Sequence, residues 1–178
     1  MASAATYGDR HEEALDHARR ALTHCQTLGP SSESVRWSWP IAADAALAVG
    51  DTAEVSRLLD WLDDYPPGHV PPLMHAESLR VRAMLLAAQA APTAMDVFDA
   101  ALKALRALGF PFHLAVGLLD YAEYLAARGD PRSAEQFAAE AGSIARRLGA
   151  NALLERAARL AGARASQRQP HLSAAAAQ

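Results

Sequence analysis

The sequence predicts an all-α fold of antiparallel helix hairpins stacked into a right-handed α-solenoid, and three observations predict it. Apolar residues recur at intervals of three and four along nearly the whole chain, with Gly, Pro and Asp at the breaks and no alternating strand pattern. Four segments place small or apolar residues seven apart: Ala14 to Ala21, Val55 to Leu62, Ala94 to Ala101 and Ala134 to Ala141. Their starts lie 41, 39 and 40 residues from one another. A fixed period between about 20 and 50 residues marks stacked repeats. Finally, the breaks inside successive helix pairs are short, which sets the paired helices antiparallel. One such hairpin cannot cover its own apolar face, so successive hairpins stack and leave a concave and a convex side.

Each element has its own start and stop signals. The first helix opens at Asp9 with Glu12 three residues on as a capping box, carries a stripe of Ala14, Ala18, Ala21, Cys25 and Leu28 flanked by Leu15 and Leu22, and stops at Gly29-Pro30. A second helix spans about 32–49 with Gly50 as its stop, and its interior Pro40 predicts a kink or a late start near Trp39. Asp51 and Glu54 form the capping box of a third, which ends near Asp64 before the proline-rich loop 65–72. The fourth runs from Pro72 to about Ala88. The fifth opens with Pro92 as its first residue and closes at Gly109. The sixth spans about 112–128 and closes at Gly129, and Asp130-Pro131 then opens a seventh that ends at Gly149. Asn151 caps an eighth that stops at Gly162. The expected organisation is an N-terminal extension at 1–8, a helical repeat domain at 9–163 and a disordered tail at 164–178 with no amphipathic face.

Composition narrows the function classes. With 51% hydrophobic and 21% charged residues the 178-residue chain can bury a core, and its net charge of −3 is spread without a block that would draw it to nucleic acid or anionic lipid. Neither direct contact with nucleic acid nor a membrane role is expected. The single cysteine, Cys25, leaves no intrachain disulfide, and residues 1–7 have no signal-peptide pattern, so a cytoplasmic setting is expected. A single lysine, Lys103, among many arginines, together with abundant alanine, suggests a high-GC bacterial genome.

Catalytic patterns are missing part by part. Lys103 lies inside a helix, where no phosphate loop forms, and neither Gly-x-Ser-x-Gly nor His-Glu-x-x-His occurs. His17 and His24, beside Cys25, are two turns apart, about 10 Å along the axis, too far to share a zinc ion without a third element. Asp120 and Glu123 share a helix face at a spacing that suits paired carboxylates, yet a solvated face suits them better. No enzyme, cofactor or metal is expected.

The residues at the repeat positions resemble the tetratricopeptide (TPR) repeats. That family places large-apolar, small and aliphatic residues on the first helix of each hairpin and alanines seven apart with an aromatic between them on the second. Leu118, Ala122, Leu125, Gly129-Asp130, Ala134 and Ala141 follow this pattern, as do Phe98 between Ala94 and Ala101, and Trp39, Ala43, Ala46 and Pro67. Val55 and Leu62 replace both family alanines in one unit, and the period near 40 exceeds the roughly 34 of the standard motif. The stretches 110–115, 117–123, 128–130 and 146–157 are also similar to the C-terminal repeats of actinobacterial regulators that carry an AAA-type ATPase, a class III adenylate or guanylate cyclase or a LuxR-type helix-turn-helix.

The resemblance implies about three and a half repeats and binding through first-helix residues on the concave side. By register these are Trp37 and Asp44 on the second helix, Glu77, Arg80 and Met84 on the fourth, and Asp120 and Glu123 on the sixth. The Lys/Asn clamp of chaperone-binding TPR proteins is absent. The first helix corresponds to the second half of a hairpin, so its stripe is expected to lack one neighbour, leaving an apolar end for a partner protein, a homodimer mate or an upstream domain of the same polypeptide. The expected role is a non-catalytic scaffold for protein–protein interaction or regulation. The alternative is the sensory region of a larger bacterial signalling protein.

Overall fold

A computed structural model describes residues 11–25 and 28–162. Among them all regular structure is helical: α1 (His11–Cys25), α2 (Glu33–Ala48), α3 (Thr52–Asp63), α4 (Pro72–Ala88), α5 (Ala94–Leu108), α6 (Pro111–Ala127), α7 (Pro131–Leu148) and α8 (151–162). The expected Asp9 cap, the 1–8 extension and the 164–178 tail lie outside the described residues, as do the side chains of His24 and Cys25. The chain divides into two compact units, Met1–Leu108 and Gly109–Gln178, with the boundary between α5 and α6.

The helix ends follow from local chemistry. Asp51 Oδ1 accepts the Glu54 N–H at 3.0 Å, and Asp130 Oδ1 accepts the Ser133 N–H at 3.1 Å, so each N-cap carboxylate satisfies one orphan donor of the helix it opens. The Asp51 capping box is only half made. Its return bond is not needed, because the Asp51 N–H already donates to Ala46 O at 2.9 Å, and Glu54 is free to turn toward arginines instead.

One closing motif recurs at the ends of α2, α4, α6 and α7. An N–H bonds back five residues in each: Asp51 to Ala46, Ala91 to Leu86, Asp130 to Leu125 and Ala150 to Ala145, all at 2.9 Å. This is the Schellman closure, which needs a left-handed residue just past the helix. Glycine supplies it at Gly50, Gly129 and Gly149, but after α4 the residue is Ala90, at φ 54°. That turn also differs in length from expectation: Pro92 and Thr93 sit in the connection, and α5 begins at Ala94.

Pro40 does not delay α2, which starts at Glu33 and runs through it to Ala48. The proline removes the bond to the carbonyl of Arg36 without interrupting the helix. What holds this stretch is Trp39, fully buried, whose Nε1 donates to Leu58 O on α3 at 3.0 Å. Burying an indole with its N–H satisfied fixes α2 against α3 by shape and by one directional bond.

In the first unit, Val35, Ala42, Ala43, Ala45 and Ala46 of α2 meet Val55, Leu58, Leu59 and Leu62 of α3, with Met74, Val81 and Leu85 of α4. Alanines on α2 let α1 approach closely, and Leu15, Ala18 and Leu22 of α1 are buried in the same core. Ala18 of the expected stripe and the flanking Leu15 and Leu22 are therefore covered, while the side chains of Ala14, Ala21 and Cys25 lie outside the described residues. The opposite side of α1 is polar, with Arg20 paired to Asp16 at 2.9 Å and His17 3.6 Å from Glu13. Leu28 is the exception, exposed beyond the helix end.

In the second unit, α6 and α7 form a close hairpin across the turn 128–130. Tyr121 packs on Phe137 with ring centroids 4.8 Å apart. Gly142 on α7 faces α8, where an added Cβ would meet Ala157 Cβ at 3.5 Å, an ordinary packing distance. The seven-apart positions Val55, Leu62, Ala94, Ala101, Ala134 and Ala141 are all buried.

Candidate functional site

The seven residues expected on the binding side divide between the two units. On α2 and α4 three of them, Asp44, Glu77 and Met84, converge on the guanidinium of a fourth, Arg80. Arg80 donates from Nη2 to Asp44 Oδ1 at 2.7 Å and from Nε to Glu77 Oε2 at 2.7 Å, and its Nη1 lies 3.5 Å from Met84 Sδ. Glu77 and Arg80 sit one turn apart on α4, so their pairing is a helix-surface contact turned inward. Asp44 comes from α2, 36 residues away in sequence. One planar fork thereby ties two non-consecutive helices together.

Burial decides what these groups can do. Glu77 and Arg80 are each 1% exposed, so they shape the α2/α4 face from beneath and are not open to a partner. Asp44 and Met84 are half-buried, as is Ile41, one turn before Asp44 on the same helix. Trp37 lies two turns from Asp44, about 10 Å along the axis, and is 58% exposed. The face thus presents an indole, an isoleucine, a methionine and one carboxylate edge above an ionic floor.

The second unit holds a related set. Arg156 on α8 donates from Nη2 to Asp120 Oδ1 at 2.7 Å, and from Nε and Nη2 to both oxygens of Glu123 at 2.6 Å. Asp120 is buried and Glu123 exposed, so the solvated face expected for the two holds at Glu123 only, and one guanidinium bridges both carboxylates. Burial works against the charge on Arg156, but the nearby Asp120 and Glu123 carboxylates outweigh it and raise the guanidinium's pKa.

Two arginine-bearing features were missing from the sequence reading. Arg156 could have been found from spacing: Asp44 precedes Arg80 and Asp120 precedes Arg156 by the same 36 residues. The other is a clip between α1 and α3. Arg57 grips Glu54 with two bonds of 2.8 Å, while Arg19 reaches Glu54 at 3.3 Å and Asp51 at 2.7 Å. The hydrogen bonds from Arg57 chiefly, then its charge and the contact from Arg19, lower the Glu54 pKa against the opposing pull of burial. The same hydrogen bonding raises that of Arg57.

A cavity of about 730 Å³ opens beneath the proline-rich loop, walled by Leu62, Tyr65, Pro66, Pro67 and Val70. A turn holds the loop, with the His69 N–H donating to Pro66 O at 3.1 Å and Gly68 at φ 85°. Asp63 at its edge is engaged by Arg82 at 2.7 Å. Among the described residues no three His, Cys, Asp or Glu side chains are grouped to hold a metal ion, and no helix is long and apolar enough to cross a membrane.

Comparison with protein-family models, with curated proteins and with solved structures gave no match to this chain.

Proposed function

We propose that this chain is a non-catalytic helical-repeat scaffold of TPR type that binds a protein or peptide segment along the face shared by α2 and α4. The observation that supports it is the Arg80 junction: by holding Asp44 of α2 beside Glu77 and Met84 of α4, it sets two first helices side by side. Neighbouring first helices are what line the concave side of such a scaffold, and Trp37 stands exposed at one end of the pair. A large, stiff aromatic ring at low entropic cost is a common anchor of protein interfaces. The carboxylates along this face are engaged by a guanidinium, so their contribution is to orient helices, not to move protons. Because Leu15, Ala18 and Leu22 of α1 are covered by their own unit, the face is favoured over the first helix as the place of binding.

A photo-crosslinking residue placed at Trp37, compared with one placed at the exposed Lys103 of α5, tests this in cells. A partner captured from position 37 and not from 103, and lost when Ile41 is changed to Asp in a chain of unchanged helicity, is the expected result. The same products from both positions would refute the assignment.

A further inference from the structure

Charge along the α2/α4 face is one-sided. Successive residues turn about 100° around a helix, so Glu33, Ile41 and Asp44 all fall within about 40° of Trp37 on one side of α2. The matching stripe on α4 is Leu73, Glu77, Arg80 and Met84, and the Asp44–Arg80 bond of 2.7 Å sets the two stripes beside each other. Together the stripes carry the carboxylates of Glu33, Asp44 and Glu77 against the single guanidinium of Arg80.

The Arg80 junction does not cancel this excess. Its guanidinium brings one positive charge to the two negative charges of Asp44 and Glu77. Because Glu77 and Arg80 are buried, the excess reaches the surface at half-buried Asp44, where salt screens it less than on an open side chain. Glu33 adds an exposed carboxylate eleven residues earlier, about 16 Å along α2.

Cations on the neighbouring elements turn elsewhere. Arg36 lies about 100° round α2 from Trp37. Arg82 lies about 160° round α4 from Arg80 and holds Asp63 of α3 at 2.7 Å, and His75 lies about 140° from Arg80. His69 belongs to the loop before α4. On α1, Arg19 bonds to Asp51 and Glu54, and Arg20 to Asp16 of its own helix. Arg57 of α3 grips Glu54 of that helix, and α3 packs behind the face, where Trp39 turns toward it. Helices α2 and α4 lie along the face for their whole length, so each brings both ends of its dipole and adds no net charge.

Between the two carboxylates of α2 stand Trp37, exposed, and Ile41, half-buried. An indole face attracts a cation as well as apolar carbon. In a partner helix, side chains eleven residues apart span the same 16 Å or so and return to one side within about 20°. We propose that the α2/α4 face takes a basic amphipathic helix of a partner protein, with its apolar side on Trp37, Ile41 and Met84 and its Lys or Arg side chains at Glu33 and Asp44. This rests on the assignment of that face as the place of binding, and adds the chemistry of the occupant.

The test uses the full chain and two labelled synthetic helical peptides, each with Leu on one side flanked by either Lys or Glu eleven residues apart, read by fluorescence anisotropy. The Lys peptide is expected to bind at least about tenfold tighter than the Glu peptide, and Trp37→Ala to weaken it by about tenfold. Asp44→Asn keeps the side chain's shape and removes its charge, and is expected to narrow the preference to about threefold or less. Glu33→Lys is expected to do the same; its position is exposed and outside the Arg80 junction, so it answers the question even if the Asp44 variant fails to fold. Asp99→Lys, at an exposed position on α5, changes the net charge equally and is expected to leave the preference as it is. Erosion by Asp99→Lys as large as by Glu33→Lys overturns the proposal, because the preference then reports the overall charge. Equal binding of the two peptides, or tighter binding of the Glu peptide, overturns it too; if Trp37→Ala still weakens that binding, the face stands and only the basic partner falls. Binding that a folded Trp37→Ala chain retains unchanged removes the face and the proposal together. Binding of neither peptide overturns the proposal, while crosslinking from position 37 decides the face separately.

Discussion

The two units solve one problem in mirror image. Each has an aspartate on one helix and an arginine 36 residues later that holds it at 2.7 Å. In the first unit the cation is the buried member, with the Arg80 side chain 2% exposed and that of Asp44 26%. In the second the anion is buried, with the Asp120 side chain at 2% and that of Arg156 at 21%. A paired charge in the interior costs little net stability, but removing its partner leaves the desolvation uncompensated. The comparison therefore teaches where each unit is vulnerable: at its arginine in the first, where three groups depend on it, and less so at the more open arginine of the second.

Replacing each arginine by methionine, which keeps bulk and removes charge, tests this most strongly. Arg80→Met leaves Glu77 buried without the guanidinium that neutralises it, and a loss of about 3–5 kcal/mol is expected in denaturant unfolding. Arg156→Met strands the buried Asp120 as Arg80→Met strands Glu77, and is expected to cost somewhat less, about 3 kcal/mol, because the second carboxylate it holds, Glu123, is exposed and solvated whereas Asp44 is half-buried. Equal losses, or the reverse order, would break the mirror relation.

The helix-closing turns offer a second comparison of smaller effect. Ala90 occupies in the first unit the left-handed position that Gly129 occupies in the second, and an L-residue pays about 1 kcal/mol or more to be there. Ala90→Gly is accordingly expected to raise stability by about 1 kcal/mol or slightly less, since glycine also loosens the unfolded chain. Gly129→Ala is expected to lower it by a similar amount; no atom obstructs a Cβ there, so any loss reports backbone conformation alone. Thermal unfolding of the pair of variants measures both.

The smallest effect concerns acid. Glu54 in the first unit ionises below its ordinary value of 4.5 because Arg57 and Arg19 hold it. A folded pKa below the unfolded one means stability that is present above the unfolded value and is lost as pH falls through the folded one. Between about pH 5 and pH 3 the wild type is expected to lose more of its thermal midpoint than Glu54→Gln does, with the gap closing at the acid end. Parallel curves across that range would show that the clip between α1 and α3 contributes nothing to stability.

Much of the fold was legible because helix ends are written locally. Asp51, Asp130, Gly50, Gly129 and Gly149 each act within six residues of themselves, and the buried stripes announce their period. Ala90 escaped because its strain is imposed by the turn it closes, and alanine signals helix in any reading by propensity. Pro40 misled in the opposite direction: the helix runs through it despite the lost bond, and the buried Trp39 next to it holds the helix in place. The candidate site was only half legible. Register placed Asp44, Glu77, Arg80 and Met84 on related faces, and they do meet, but register says nothing of depth. The same charge reads alike on a groove wall and beneath it, and the partner that decides the matter lies 36 residues away. Nor did a continuous repeat pattern announce the division into units between Leu108 and Gly109.

The recurring closure of α2, α4, α6 and α7 carries a consequence for the order of assembly. Its hydrogen bond spans five residues, so the turn can form before the rest of the chain has found its place. The ion pairs of Arg80 and Arg156 span 36 and form only once the correct helices lie beside each other. Closure thus sets where each helix stops, while each arginine acts as a late check on alignment, since a helix slipped by one turn would leave a carboxylate and a guanidinium buried apart.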